Sequence, residues 1–130
     1  MFIAYLTLDE VNQDLAPRLA EACRATVHAW TPREALPAGA VDAVLIDLDS
    51  LPPQERQSIL SGLLTRTAPY PVAVHSYNLE EGQVEALHHK GVAVHRRLTP
   101  ALLRHLGRRV RQGRAAVFAS GSEESGNHAA

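Results

Sequence analysis

The chain holds one cysteine, Cys23, so no disulfide can form within it. A lone thiol in a helical-looking segment reads as a half-buried structural residue, and the expected compartment is a reducing one, the cytoplasm. Aromatic residues make up 5% of the sequence and do not interleave with the basic residues, which weakens a base-stacking nucleic-acid surface. The formal net charge of −1 argues against a chain-wide attraction to nucleic acid or membrane. No apolar run approaches the roughly 18 residues that a membrane span requires. The opening MFIAYLTLDE lacks a basic region and is too short for a signal peptide. No GxGxxG or GxxxxGK loop follows any apolar run, which argues against a nucleotide-dependent enzyme. Seven histidines are present, yet no HxxxH or Cys-His spacing joins them. His88 and His89 are adjacent, so on a helix they point about 100° apart.

What is present is an ordinary globular composition, 45% hydrophobic and 21% charged, and 130 residues imply one domain. Its most informative segment is Asp42-Ala43-Val44-Leu45-Ile46-Asp47-Leu48. Consecutive branched residues mark a strand buried on both faces, as in a parallel sheet covered by helices. A carboxylate at the carboxyl end of such a strand lies where open α/β sheets place their binding crevice.

Further strands are expected at Phe2–Leu6, Ala25–Trp30, Val72–Ser76 and Val92–His95. Helices are expected between them. One runs from about Asn12 to Arg24, with Val11, Leu15, Leu19 and Ala22 as its apolar stripe. Pro17 pushes the start of that helix toward Asp14, a possible N-cap. Thr31-Pro32 opens a short helix to Leu36, and Leu51-Pro52-Pro53 opens one to Thr65. Another covers Leu79–Lys90, ended by Gly91. Thr99-Pro100 opens the last, through about Val110 or Gln112. Strict β-α alternation predicts a doubly wound, flavodoxin-like five-stranded parallel sheet of order 2-1-3-4-5 with helices on both faces. Residues 1–114 form the domain, and 115–130, lacking apolar periodicity, are expected to be a disordered tail.

These segments resemble the receiver domain of bacterial response regulators over residues 2 to 112. Asp47 at the end of the third strand, followed by Leu51-Pro52, is similar to that family's phosphoryl-accepting aspartate and its hydrophobic-proline step. Val72-Ala73-Val74-His75-Ser76 ends where the family has a Ser or Thr that contacts the phosphoryl group. Gly91 to Thr99 covers its fifth strand, its Lys-Pro pair and its last helix cap. The resemblance makes Asp47 the candidate phospho-acceptor and Ser76 and Arg96 the candidate phosphoryl contacts. The sequence also departs from the family. Where receivers place adjacent magnesium-holding carboxylates, this chain has Leu6-Thr7-Leu8, and Asp9 and Glu10 come about two residues later. Arg96 replaces the Lys, Arg97 the Pro, and Ala93 the aromatic switch residue. Magnesium takes carboxylate and water ligands in octahedral geometry. If Asp47 is phosphorylated, Asp47, Asp9 and Asp49 are the candidate ligands. Without a metal, Arg96 is positioned to pair with Asp47.

Seven of the thirteen Lys and Arg residues lie between Arg96 and Arg114, with no acid among them. Arg104, Arg108 and Arg111 share one helical face. By the resemblance, a partner-docking or homodimer face built from the fourth and fifth strands and the helix after each would include Tyr77, Leu87, His95, Leu98 and that Arg face. The expected function is a non-enzymatic, divergent receiver-like signalling module in two-component signal transduction or phosphorelay, acting through a protein partner with no cofactor. Its alternatives are a single-domain response regulator phosphorylated on Asp47 by a histidine kinase, and a nucleic-acid-binding module using the Arg-rich helix.

Overall fold

The structure, a computed structural model, describes residues 1–21, 23–30 and 41–127. Its elements alternate as β1 (Phe2–Leu6), α1 (Glu10–Glu21), β2 (Thr26–Trp30), β3 (Ala43–Asp47), α2 (Pro53–Thr65), β4 (Val72–His75), α3 (Glu81–His89), β5 (Ala93–His95) and α4 (Pro100–Asn127). A single 3₁₀ turn, Leu48–Ser50, follows β3. The five strands are all parallel, in the order β2-β1-β3-β4-β5. This is the doubly wound order expected from the alternation.

Residue alternation along each strand builds two cores. Ile3 and Tyr5 of β1, Ala43 and Leu45 of β3, Ala73 of β4 and Ala93 of β5 face one side. There they pack with Ala16 and Ala20 of α1 and Leu102, Leu103, Leu106 and Val110 of α4. Ala4, Leu6, Val44, Ile46, Val72 and Val74 face the other side, against Leu60 of α2 and Leu87 of α3. Every β3 residue is buried, as its uninterrupted apolar run required.

Caps explain most helix boundaries. Thr99 Oγ1 accepts the Leu102 N–H at 3.2 Å, and Pro100 sits at the first helical position of α4. Gly91, at φ 77°, ends α3 in the left-handed region. Two expectations for α1 are corrected. Asp9, not Asp14, is its cap: Asp9 Oδ1 accepts the Asn12 N–H at 3.0 Å, so the helix starts five residues earlier than an Asp14 cap would set it and Pro17 lies inside it. Its buried face is Ala16 and Ala20, while Val11 and Leu15 are exposed. The small alanines pack into the core on the α1/α4 side, Leu19 is partly buried against it, and Val11 and Leu15 are turned outward.

Helix α4 runs to Asn127, past the Gln112 where apolar periodicity stops, although no element was expected over 115–130. Once a helix is nucleated, each added residue costs little, and Ala115, Ala116 and Ala119 are strong helix formers. The short helix expected over 31–36 lies outside the described residues. Among the described residues no helix is long and apolar enough to cross a membrane.

Candidate functional site

At the carboxyl ends of the strands, an open cleft of about 360 Å³ is lined by residues of four segments, among them Asp9, Asn12, Asp47, Asp49, His75 and Arg96. Asp47, Asp9, Asp49 and Arg96 are thus brought together, while Ser76 lies just behind Asp49. Strand register explains the centre of the cleft. Asp47 and His75 end neighbouring strands as direct partners, and both side chains project to the α1/α4 side.

Asp47 is 3% exposed and its carboxylate is already engaged. Oδ2 accepts the Thr7 hydroxyl at 2.9 Å and the Asn12 side-chain amide at 2.9 Å. Oδ1 faces His75 Nδ1 at 3.8 Å. Tyr5 of β1, two residues before Thr7, meets His75 Nε2 at 2.5 Å through its hydroxyl. Burial first, and the Asp47 charge second, raise the Tyr5 phenol far above its ordinary range, so it stays protonated and donates. The neutral His75 then carries its own proton on Nδ1, directed at Asp47. Burial also lowers the His75 pKa, against the opposing pull of Asp47 and then of Asp49. Tyr5, His75, Asp47 and Thr7 form a buried polar chain across β1, β3 and β4.

Asp49 is turned to a different task. Its Oδ1 accepts the Ser76 hydroxyl at 2.5 Å, and its Oδ2 accepts the Tyr77 N–H at 2.8 Å. Although partial burial opposes it, these hydrogen bonds lower the Asp49 pKa. Ser76 Oγ also accepts the Asn78 N–H at 3.1 Å, so the hydroxyl braces the loop after β4. Ser50 braces the loop after β1: it donates to the Asp47 carbonyl at 2.9 Å and accepts the Leu8 N–H at 3.0 Å. At the mouth of the cleft the Arg97 guanidinium lies 5.8 Å from the centre of the Tyr77 ring.

The donor set does not fit magnesium. Asp9 caps α1, Asp49 holds the β4–α3 loop, and one Asp47 oxygen carries two protein donors. Among the described residues no group of three His, Cys, Asp or Glu side chains is arranged to hold a metal ion. The expected Arg96–Asp47 pair is corrected as well: among the described residues Asp47 has no ion pair with Arg96, and His75 takes the place beside it. Leu87 is corrected from surface to core, being fully buried. Tyr77, Arg104, Arg108 and Arg111 are exposed, and His95 and Leu98 are half-buried.

Sequence reading missed Tyr5, Thr7, Asn12 and His75 as one constellation. The available signal was alternation: Tyr5 on β1 and Thr7 just past its end are two residues apart, and His75 closes β4 as Asp47 closes β3.

No family model matches the sequence, and no curated protein matches it. Solved structures do. A response regulator receiver protein from Pseudoalteromonas atlantica superposes with a TM-score of 0.65 at 12% identity, covering 87% of this chain and 98% of that one. This chain has a receiver-domain fold. A response regulator from Thermotoga maritima gives a TM-score of 0.60 at 12% identity, covering 85% of this chain and 97% of that one. A signal receiver domain of a histidine kinase from Clostridium thermocellum gives 0.58 at 13%, covering 84% and 95%. At such identities the likeness carries the receiver fold and leaves the chemistry to the residues at the site.

Proposed function

We propose that this chain is a receiver-fold signalling module that acts by binding a partner protein, without efficient phosphorylation of Asp47. The observation that supports this most is the engagement of Asp47. Phosphoryl transfer to a carboxylate needs a free oxygen nucleophile and a cation to neutralise the phosphoryl oxygens. Here Oδ2 carries the Thr7 and Asn12 donors, and Oδ1 faces His75. The two nearby carboxylates are committed to a helix cap and a loop. Arg96 lines the cleft as a planar guanidinium, not the compact ammonium that the receiver pattern places there.

Incubation with acetyl phosphate and magnesium, followed by mass spectrometry of the intact chain, tests the reading, and beryllofluoride binding gives a second readout. The expected result is substoichiometric modification at most. Stoichiometric labelling that disappears in Asp47→Ala would overturn it and establish a phosphorylated single-domain regulator. The partner surface is expected on the α3–β5–α4 side, where Arg104, Arg108 and Arg111 are exposed. Nucleic-acid binding by the same arginines predicts a steep loss of affinity with salt, and no binding at low salt would remove it.

A further inference from the structure

The outer side of β5 carries a second set of titratable groups that the Asp47 chemistry does not use. Among the described strands β5 is the last in the sheet order, so one of its backbone edges has no neighbouring strand. A groove of about 400 Å³ runs along that edge between α3 and α4. It is lined by His88 from α3, Val94 and His95 from β5, and His105, Arg109 and Gln112 from α4, and among the described residues its lining includes no carboxylate. The His95 and His105 rings meet edge to face, with centroids 5.7 Å apart.

We propose that this groove is a proton-linked docking site for an acidic, extended segment of a partner protein. The proposal deepens the partner-docking reading above and rests on it. Charge complementarity selects the occupant. Arg109 supplies a fixed charge inside the groove, Arg104 and Arg108 stand exposed on the neighbouring face of α4, and the His95 and His105 imidazoles can add further charge. An extended chain can also use the open β5 edge for main-chain hydrogen bonds.

The surroundings set the direction of the proton linkage. On the β5 side, His95 faces His105 and His88, and its pKa is lowered by partial burial first and then by those two neighbours. On the α4 side, the His105 pKa is lowered by partial burial, then by Arg109 and Arg108. From β4, His75 also feels the His95 charge. On α3, Glu81 and Glu85 line the adjoining cleft together with His88, His95 and Arg96, so a carboxylate ligand is steered toward the α4 side. In the free protein His95 and His105 are therefore neutral near neutral pH. Seated carboxylates would raise their proton affinity. Binding then takes up protons, and it is favoured below the raised pKa and lost as pH rises through it.

The test uses the full chain and a fluorescein-labelled oligoglutamate peptide, followed by anisotropy at about pH 7.5 and about pH 5.5, the range in which imidazoles change charge. Glutamate remains mostly ionised over that range, and its own protonation would weaken binding at the acid end, the opposite sign. The expected result is binding that tightens by about tenfold at the lower pH, the change for an average uptake of about half a proton over the two pH units. His95→Asn combined with His105→Asn is expected to abolish most of that gain while leaving the neutral-pH affinity within about twofold. The imidazole proton signals of His95 and His105 should titrate at higher pH with the peptide present. Absence of binding at the lower pH, unshifted histidine titrations, or a pH gain that survives in the double variant would each overturn the proposal. Labelling at Asp47 in the phosphorylation experiment would leave these outcomes unaffected, so the two readings fail separately.

Discussion

The end of β3 and the outer edge of β5 lie on one sheet and handle polar groups in opposite ways. Around Asp47, donors and acceptors are matched inside the protein: Thr7 and Asn12 donate to the carboxylate, Tyr5 donates to His75, and Ser76 donates to Asp49. Along β5, cations and imidazoles face one another with no acid in the groove lining among the described residues. A matched polar cluster gains its stability from folding and has little left to offer a ligand, since a ligand must displace partners already in place. An unmatched cluster costs the folded state some repulsion and gains when an anion arrives. In the receiver fold the first location is where phosphoryl chemistry is expected. In this chain the second has the free capacity for recognition.

The strongest way to break that contrast is Asp47→Ala. If the carboxylate is a structural acceptor, its removal strands the Thr7 hydroxyl and the Asn12 amide at a buried site. Each lost partner carries a desolvation penalty, so a loss of about 2–4 kcal/mol is expected in urea denaturation with an unchanged slope. A gain in stability would have the reverse meaning. It would show a carboxylate held at a cost to folding, as functional groups often are, and it would favour the phospho-acceptor reading.

The frame of this molecule was legible for a plain reason. The unbroken apolar run before Asp47, the Thr-Pro step at Thr99-Pro100 and the glycine at Gly91 each encode one local preference that the tertiary structure did not oppose. The boundary of α1 was not legible, because Pro17 suggested a later start while Asp9 supplied a competing cap. Nor was the burial of its alanines: an apolar stripe of Val11 and Leu15 looks inward by hydropathy, yet close approach to the sheet favoured the small residues. The Asp47 environment was harder still. Its partners come from positions 35 to 40 residues away in the chain, and no local pattern declares which donor a carboxylate will meet. The expectation of Arg96 rested on its place in the receiver pattern and on its charge. In the folded chain His75 is placed beside Asp47 by strand register, which charge counting does not see.

A smaller effect sharpens the same contrast through pH. The lowered His75 pKa means that, as pH falls through about 6.5, the unfolded chain binds a proton that the folded chain resists. The stability is therefore present above the ordinary histidine range and is lost as pH falls through it. The lowered Asp49 pKa acts in the same direction in the more acidic range. The expected outcome is a denaturation midpoint that declines between about pH 7.5 and about pH 5.5. In His75→Gln, whose amide oxygen can still accept from Tyr5, part of that decline should vanish, the lowered His95 and His105 pKa values carrying the rest. A variant that keeps the full pH dependence would place the responsible proton elsewhere. Tyr5→Phe removes the donor to His75 and should cost about 1 kcal/mol, measured in urea near neutral pH.

The smallest expected effect belongs to the basic face. Arg104, Arg108 and Arg111 are exposed, recur at helical spacing, and have no ion pair among the described residues. Exposed charges of one sign on one face repel, so deleting them removes as much strain as packing. The triple substitution Arg104→Ala, Arg108→Ala, Arg111→Ala should therefore move the thermal midpoint by no more than about 2 °C. It should nevertheless weaken capture of an acidic peptide at every pH, since these charges are fixed. A large fall in the midpoint would show that the arginines hold α4 in place. The β5 side would then be as internally committed as the Asp47 end, and the distinction between a satisfied end and a receptive edge would fail.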